Sequence, residues 1–360
     1  MRIRFDAREW LGAFGDIGVL VPILLGLAVV NGVDLQKTLA LAGAAYIGAA
    51  LLFRLPVPVQ PLKAMAAIAL AQGLGTDVIR AASVWMGVVF LLLSWRGGAR
   101  SLGRMFPRPV VNGLQLGVGL LLIKAAWKLA FTAPRAGVPW LSPAGALEPA
   151  DFVQAFFVLF LPQIPLTLGN SVYGTSDALS VYYPGKAGGA TPGRLCASLG
   201  WINAAAGLVG AYPLCHGSGG VTAHARLGAR TAGATIIMGT VCLLLALAAG
   251  PQAYDFLARI PKPALAALLL FVGLCHSKLF LALGDNREKA IAFLMGIVTL
   301  ATGHLGWALC AGITAHFMEE WLAWKESNPA KITPVPSAEG LWTAPTARGS
   351  TPAGAASSRG

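Results

Sequence analysis

The chain consists of long apolar runs separated by short polar stretches. Runs such as Val19 to Val30 carry no charge, whereas a soluble protein of this length needs a charged shell. About 12 runs are long enough to cross or enter a bilayer. Their ranges are 11–30, 38–54, 61–72, 79–95, 109–131, 152–171, 196–212, 217–232, 234–250, 262–282, 288–304 and 305–323. The pattern predicts an all-α integral membrane protein.

Two of these runs, 61–72 and 217–232, are too short or too interrupted by Gly and Pro to span as regular helices. They occupy matching places in the two halves of the chain. Short or broken segments at corresponding positions indicate the binding site of an inverted-repeat transporter. The predicted organisation is a cytoplasmic N-terminus at 1–10, a first repeat at 11–131, a loop at 132–151, a second inverted repeat at 152–323 and a cytoplasmic tail at 324–360. The tail is rich in Pro, Ala, Ser, Thr and Gly, so we expect it to be disordered.

Composition and charge agree with a membrane protein. Hydrophobic residues make up 56% of the 360 positions and charged residues 12%, about half the charged share of a soluble domain. The net charge of +12 does not indicate nucleic acid, because the Lys and Arg residues lie in loops without a basic stripe of interleaved aromatics.

The placement of these cations predicts the topology. With the N-terminus inside, fifteen cations lie on the cytoplasmic side and five outside, as the positive-inside rule requires. The inner set is Arg2, Arg4, Arg8, Arg54, Arg96, Arg100, Arg104, Arg108, Lys186, Arg194, Arg226, Arg230, Lys278, Arg287 and Lys289, and the outer set is Lys37, Arg80, Arg135, Arg259 and Lys262. We expect a multi-pass protein of the cell membrane with both termini in the cytoplasm.

Enzymatic and metal-binding functions find no support in the sequence. The five cysteines are scattered singly, and no CxxC or paired His spacing indicates a disulfide framework or a zinc site. Isolated histidines, namely His224, His276, His304 and His316, are interpreted as interface or packing residues. Paired acidic clusters are absent, as is a Walker-type phosphate loop, so we expect neither an enzyme nor direct use of ATP, and no cofactor.

The first broken segment begins with Leu55-Pro-Val-Pro-Val-Gln-Pro-Leu-Lys, an extended stretch that turns into a helix at Pro61 or just after. A helix that starts near mid-membrane presents free N–H groups and a positive dipole end, which favour an anion. Gln60, at the expected cap, and Lys63, within one turn, are candidate anion-binding residues. Alternatively, Gln60 only caps the helix, and Lys63 snorkels or pairs with a carboxylate.

The second broken segment contains Cys215-His-Gly-Ser-Gly-Gly, which predicts another helix start. Glycines let the backbone approach a ligand, and a hydroxyl can bind a small oxyanion. His216, Gly217, Ser218 and Gly219 are therefore candidate substrate-binding residues. Glycines also serve close helix packing in membranes, so the matching first segment is what favours a site.

Other polar residues lie within apolar runs. Asp16 is the carboxylate expected inside the protein, where it can balance Lys63 or carry a coupling proton, with His216 as a second proton carrier. A turn-capping carboxylate at the interface is the alternative. Gln163, Thr167 and Asn170 recur at spacings of four and three, so they share one helix face that lines either the site or a helix contact.

Four ordered motifs together resemble the molybdate transporter family related to sulfate permeases. They are Gly15-Asp-Ile-Gly, Pro58-Val-Gln-Pro-Leu-Lys-Ala, Gln163-Ile-Pro-Leu-Thr-Leu-Gly-Asn-Ser and Cys215-His-Gly-Ser-Gly-Gly with Arg226-Leu-Gly-Ala-Arg-Thr, within about residues 10 to 320. The resemblance implies a fold like that of sulfate and uracil permeases, with seven plus seven helices in core and gate domains. It also implies that the facing ends of the third and tenth helices hold molybdate.

Two departures from the family pattern stand out. Only a loop connects Phe131 to Phe152, where sulfate permeases have two further gate helices, so the first gate half looks shortened. Their cytoplasmic regulatory domain is also absent, as it generally is in molybdate relatives. The predicted function is secondary active uptake of molybdate by alternating access, with sulfate or another oxyanion, or an anion channel, as alternatives. The expected partners are the oxyanion, the lipid bilayer and a coupling proton, without nucleic acid, and a homodimer is left open.

Overall fold

The computed structural model describes residues 3–95, 97–103, 105–131, 145–248 and 261–328. The chain falls into two compact units, 1–316 and 317–360. The second unit is described for residues 317–328, which form the C-terminal end of a helix. Apart from this helix end, every structural feature discussed below lies in the first unit. Several predictions fall outside the described residues, namely the placement of Arg2, Arg96, Arg104, Arg135 and Arg259 and the disorder of the tail from 329 onward.

The described residues of the first half of the chain form seven helices and one short strand. They are α1 (Ala7–Ala13), α2 (Ile17–Asn31), α3 (Leu35–Phe53), β1 (Gln60–Pro61), α4 (Lys63–Gln72), α5 (Thr76–Leu93), α6 (Gly98–Gly103) and α7 (Arg108–Phe131). A single 3-10 turn, Phe14–Asp16, joins α1 to α2. The first predicted run, 11–30, therefore belongs to a helical segment that begins four residues earlier.

The second half repeats this order. Its elements are α8 (Pro149–Ala155), α9 (Leu161–Leu166), α10 (Thr175–Tyr182), α11 (Pro192–Val209), β2 (Leu214–Cys215), α12 (Ser218–Arg226), α13 (Gly233–Ala248), α14 (Lys262–Ser277), α15 (Asn286–Thr302) and α16 (Leu305–Ser327). Two π-helical segments, Phe156–Phe160 and Thr167–Gly174, join α8, α9 and α10 into one continuous segment.

This continuous segment differs from its prediction, because it ends at Tyr182 rather than at 171. Pro162 and Pro165 lie between the two π-helical segments and lack the amide N–H that the α-helical ladder needs. π-helical turns absorb such irregularities and often occur at functional sites. The polar residues Asn170 and Ser171 lie within the second π-helical segment.

Among the described residues, six helical segments are long and apolar enough to cross a membrane, judged by length and composition. They are Ala7–Asn31, Leu35–Phe53, Thr76–Leu93, Arg108–Phe131, Pro149–Tyr182 and Lys262–Ala282, and Gly233–Ala248 is a shorter apolar helix. The chain is thus a multi-pass membrane protein. The total of about 12 segments stays a prediction.

Helix packing shows how the two halves are related. Helix α3 packs along α13, and α11 packs along α5. Helix α11 has the same place in the second half as α3 has in the first, and α13 has the same place as α5. The α3–α13 contact and the α11–α5 contact are therefore equivalent. Strands β1 and β2, which are also counterparts, pair antiparallel. Equivalent segments that run in opposite directions are the mark of an inverted repeat.

Helix α7 packs against α14 and α15, and also against α4. Helices α7 and α14 are called the α7–α14 pair below. The predicted loop at 132–151 lies outside the described residues as far as 144, and α8 begins at Pro149. The shortened first gate half therefore stays a prediction.

Candidate functional site

The two broken segments meet at the centre of the protein. Strand β1 pairs with β2 so that Gln60 is opposite Cys215, and both strands are buried. Helix α4 then begins at Lys63 and α12 at Ser218, and the N-cap residues Leu62 and Gly217 make no side-chain bond to the first turn. First-turn amides have no acceptor inside a helix, so these two starts present positive potential within the protein. The predicted cap position of Gln60 is wrong: Leu62 is the N-cap.

Non-helical backbone inside a membrane needs hydrogen-bond partners, and buried side chains supply them. The Asn203 amide both donates to the carbonyl of Leu214, at 2.9 Å, and accepts from its N–H, also at 2.9 Å. His216 Nδ1 lies 2.9 Å from the carbonyl oxygen of Pro58, and its Nε2 lies 2.9 Å from Ser198 Oγ. His216 therefore ties the two broken segments together.

Asp16 is fully buried and accepts three side-chain hydrogen bonds. Tyr46 Oη donates to Oδ2 at 2.7 Å, Gln60 Nε2 donates to Oδ1 at 2.5 Å, and His224 Nε2 lies 2.9 Å from Oδ2. Asp16 therefore lies within the protein, as expected, and not on its surface. The imidazole that contacts Asp16 is that of His224, whereas His216, the predicted second proton carrier, contacts Pro58 and Ser198.

Gln60 links Lys63 to Asp16. The Lys63 ammonium donates to Gln60 Oε1 at 2.7 Å, while Gln60 Nε2 donates to Asp16. An ammonium can only donate and a carboxylate can only accept, so the chemistry of its neighbours fixes the orientation of the Gln60 amide. One of the two side-chain N–H groups of Gln60 therefore donates to Asp16. The predicted balance of Lys63 by Asp16 therefore runs through the Gln60 amide rather than through direct contact.

The glycines at the start of α12 differ in their surroundings. A Cβ on Gly220 would lie 2.6 Å from Gln60 Nε2 and 2.7 Å from Asp16 Oδ1, and one on Gly217 would lie 2.8 Å from Gln60 Oε1. A Cβ on Gly219 would meet nothing within 4 Å. The backbone at Gly217 and Gly220 thus lies directly against the Gln60 amide, whereas Gly219 faces open space.

A small cavity of about 20 Å³ lies beside the start of α4. Three candidates from the sequence line it: Lys63, Gln163 and Asn170. The other lining residues are Ala64, Gln115, Val118, Leu166, Ser171, Cys215 and His276. Lys63 is the cationic side chain of this lining.

Neighbouring groups orient the two lining amides. Gln163 Oε1 accepts from the Met65 N–H at 3.0 Å, and its Nε2 donates to Thr167 Oγ1 at 3.0 Å. Ser218 Oγ donates to Asn170 Oδ1 at 2.6 Å, which leaves the Asn170 N–H groups for other acceptors. Thr167 is fully buried behind the lining and supports Gln163.

Comparison with known proteins identifies the family. The family model described as "Molybdate transporter of MFS superfamily" matches residues 8–122 and 155–276, about two thirds of the chain. This chain belongs to that molybdate transporter family. The resemblance inferred from the four motifs is confirmed.

One curated relative and two solved structures show how far the likeness extends. Molybdate transporter 2 of Arabidopsis thaliana is 26% identical over 384 residues, covering 80% of this chain and 81% of the relative. The transmembrane domain of the cyanobacterial bicarbonate transporter BicA superposes with a TM-score of 0.59 at 15% identity, covering 87% of this chain and 98% of that domain. Murine Slc26a9, an anion transporter in its inward-facing state, superposes with a TM-score of 0.56 at 12% identity. This likeness covers 90% of this chain and 70% of the Slc26a9 chain. These likenesses confirm the inverted-repeat fold.

Four polar residues that line the cavity were not predicted from the sequence, namely Gln115, Ser171, Cys215 and His276. Gln115 and His276 are single polar residues within long apolar helices, which is the signal that could have identified them. His276 was interpreted as a packing residue, and so was His224, which instead contacts Asp16. Among the described residues, no group of three or more His, Cys, Asp or Glu could hold a metal ion.

Proposed function

We propose that this protein is a secondary active transporter for molybdate uptake, which binds the tetrahedral oxyanion beside Lys63 and exposes it alternately to each side of the membrane. The observation that carries the proposal is the cavity itself. An ammonium, the start of α4 and two oriented amides, Gln163 and Asn170, meet there between broken segments. Donors and positive potential without a lining carboxylate suit an anion.

The candidate residues divide by position. Lys63, Gln163 and Asn170 contact the oxyanion, and Thr167 and Ser218 orient the two amides. Gly217 and Gly219 keep the start of α12 free of side chains. Gln60 and His216 hold the broken segments in place. This division is supported by hydrogen bonds between the side chains and by the lining of the cavity.

Asp16 balances the charge of Lys63 while the cavity is empty and carries the coupling proton during transport. The titratable groups around it are Tyr46 of α3, His224 of α12, Cys242 of α13, Cys215 of β2 and, through Gln60, Lys63 of α4. A dianion that arrives beside Lys63 competes with Asp16 for the same cation, and protonation of the carboxylate relieves that competition. Asp16→Asn should therefore abolish the dependence of uptake on a pH gradient.

The proposed setting is the cell membrane with both termini in the cytoplasm, as the positive-inside rule suggests. The α7–α14 pair belongs to the gate, and α2 to α5 with α8 to α13 form the core. A homodimer is proposed as the oligomeric state. Mass measurement in nanodiscs tests the dimer, and protease access to an epitope at each terminus in right-side-out vesicles tests the orientation.

Uptake of labelled molybdate into proteoliposomes tests the function. Saturable uptake that an inward proton gradient stimulates supports the carrier, and large unsaturated conductance identifies a channel instead. Competition by unlabelled sulfate measures selectivity, because the two dianions have equal charge and differ modestly in size. Sulfate uptake with little molybdate uptake would replace molybdate by sulfate as the cargo. Absence of uptake for both oxyanions would contradict the proposal.

A further inference from the structure

The α7–α14 pair contributes a buried polar contact to the cavity. Gln115 of α7 and His276 of α14 both line it, and they are 8% and 9% exposed. His276 Nδ1 lies 2.7 Å from Gln115 Oε1. An amide oxygen only accepts, so the imidazole donates in this arrangement, and Gln115 keeps both of its N–H donors.

The helix crossing fixes this contact. A Cβ on Gly119 would lie 2.6 Å from the carbonyl oxygen of Gly273, and one on Gly273 would lie 2.9 Å from that of Gly119. Small residues let membrane helices approach this closely. Gln115 precedes Gly119 by four residues, so it lies one turn away on the same helix face, and His276 is adjacent to Ser277, which is the residue nearest to a Cβ on Gly119.

Oxyanion binding explains why these helices carry polar side chains here. Lys63, Gln163 and Asn170 form one part of the cavity lining, and the α7–α14 pair forms another part, which supplies amide donors; these two parts are called its walls. Polar residues within membrane helices mark substrate pathways when they face a cavity. An oxyanion has acceptors in every direction and needs donors from both walls.

We propose that Gln115 is a ligand of the transported oxyanion and that His276 is a positioning residue, which holds the Gln115 amide with its N–H groups toward the cavity. The proposal rests on the oxyanion function above. It adds that substrate bridges the broken segments and the α7–α14 pair. The distance between these walls then helps to determine which oxyanion is carried.

Equilibrium binding of labelled molybdate and sulfate to purified protein in nanodiscs tests this assignment. The decisive variant is Gln115→Glu, which preserves side-chain size and an acceptor for His276 but removes the N–H donors and adds a negative charge. We expect its Kd for both oxyanions to rise more than about 100-fold, because a donor to a charged ligand is replaced by repulsion. The uncharged variant Gln115→Leu separates the lost donors from this repulsion: a ligand role predicts a higher Kd for both oxyanions in this variant too, whereas a structural role alone predicts an unchanged Kd.

Two variants of His276 test positioning. His276→Ala should raise the molybdate Kd about 10-fold and change the ratio of molybdate to sulfate Kd, because the amide loses its fixed orientation. His276→Gln can still donate to Gln115 Oε1 and should restore both values. Gln72 and His304 form a matched control, since they make another Gln–His contact, at 3.2 Å, outside the cavity. Gln72→Ala and His304→Ala should bind as wild type.

The outcomes separate this inference from the proposed function. If wild-type protein binds neither oxyanion, the proposed function fails. If wild type binds and folded Gln115→Glu binds equally well, only the assignment of Gln115 is overturned. Wild-type Kd values and selectivity in His276→Ala would likewise remove the positioning role. Size-exclusion profiles establish that each variant is folded.

Discussion

Gly220→Ala tests how closely α12 packs against the buried polar chain. The added Cβ would lie 2.6 Å from both Gln60 Nε2 and Pro58 Cβ, and 2.7 Å from Asp16 Oδ1. Real Cβ atoms essentially never approach other heavy atoms closer than 3.0 Å. Because two of these three atoms form the bond between Gln60 and Asp16, either α12 shifts or that bond breaks.

The expected loss of stability follows from these contacts. Overpacking a buried site costs about 1–3 kcal/mol. Breaking a hydrogen bond to a buried carboxylate costs about 1.5–3 kcal/mol. If the Gln60–Asp16 bond breaks, the overpacking is relieved, so the two costs do not add. We therefore expect the free energy of unfolding to fall by about 1–3 kcal/mol. We expect uptake of molybdate to fall by at least about 10-fold, because about 1.4 kcal/mol of lost site stabilisation suffices for that change.

The assay combines thermal unfolding in detergent with uptake into proteoliposomes. Gly18→Ala is the control for both measurements, since Gly18 is exposed, follows Asp16 by two residues, and has no atom within 4 Å of a built Cβ. Gly219→Ala is a second control for stability only, because it lies in the same turn of α12 but faces open space. Gly220→Ala with wild-type melting and wild-type uptake would refute the close packing.

Three further predictions concern other parts of the structure. Gln60→Glu places a second carboxylate against Asp16, so uptake should be lost while Gln60→Asn retains a part of it, and equal uptake by the two variants would contradict this. Glu9 is 1% exposed and accepts from three backbone amides before and in α13, at 2.9, 2.9 and 3.0 Å. Glu9→Gln should lower the free energy of unfolding by about 1–3 kcal/mol, because an amide N–H replaces one of the acceptor oxygens. An unchanged midpoint of thermal unfolding would contradict a stabilising role of Glu9. In protein whose other cysteines are replaced by Ala, molybdate should slow the reaction of Cys215 with a small thiol reagent, and a rate independent of molybdate would argue against its place in the cavity lining.

Local sequence pattern was enough to predict the helix starts and part of the cavity. Prolines before Lys63 and glycines around Ser218 are signals within a few residues, and they correctly indicated broken segments there. Gln163 and Asn170 followed from a polar stripe on one apolar run. The same stripe assigned Thr167 an equal place. The structure places Thr167 next to Gln163, as the spacing predicted, but its side chain is fully buried and accepts from Gln163 instead of lining the cavity.

Tertiary partners could not be predicted from the same patterns. Gln115 and His276 are far apart in sequence, and a crossing of two helices brings them together. His224 and Asp16 are likewise distant in sequence, so their contact was not predicted, and His224 was interpreted as a packing residue. The role of Gln60 depends on Asp16, which determines the direction of its amide. Each case requires knowing which helix faces which, and apolar periodicity alone does not supply that.

The central claim is that Lys63, at the start of α4, holds an oxyanion in the cavity between the broken segments. Equilibrium binding of labelled molybdate to wild type and to Lys63→Met tests it most directly, because Met keeps the length of the side chain and removes its charge. We predict saturable binding by wild type, displaced by unlabelled molybdate, and a Kd at least about 10-fold higher for Lys63→Met. Equal affinity of the two folded proteins, or no binding by wild type, would contradict the claim.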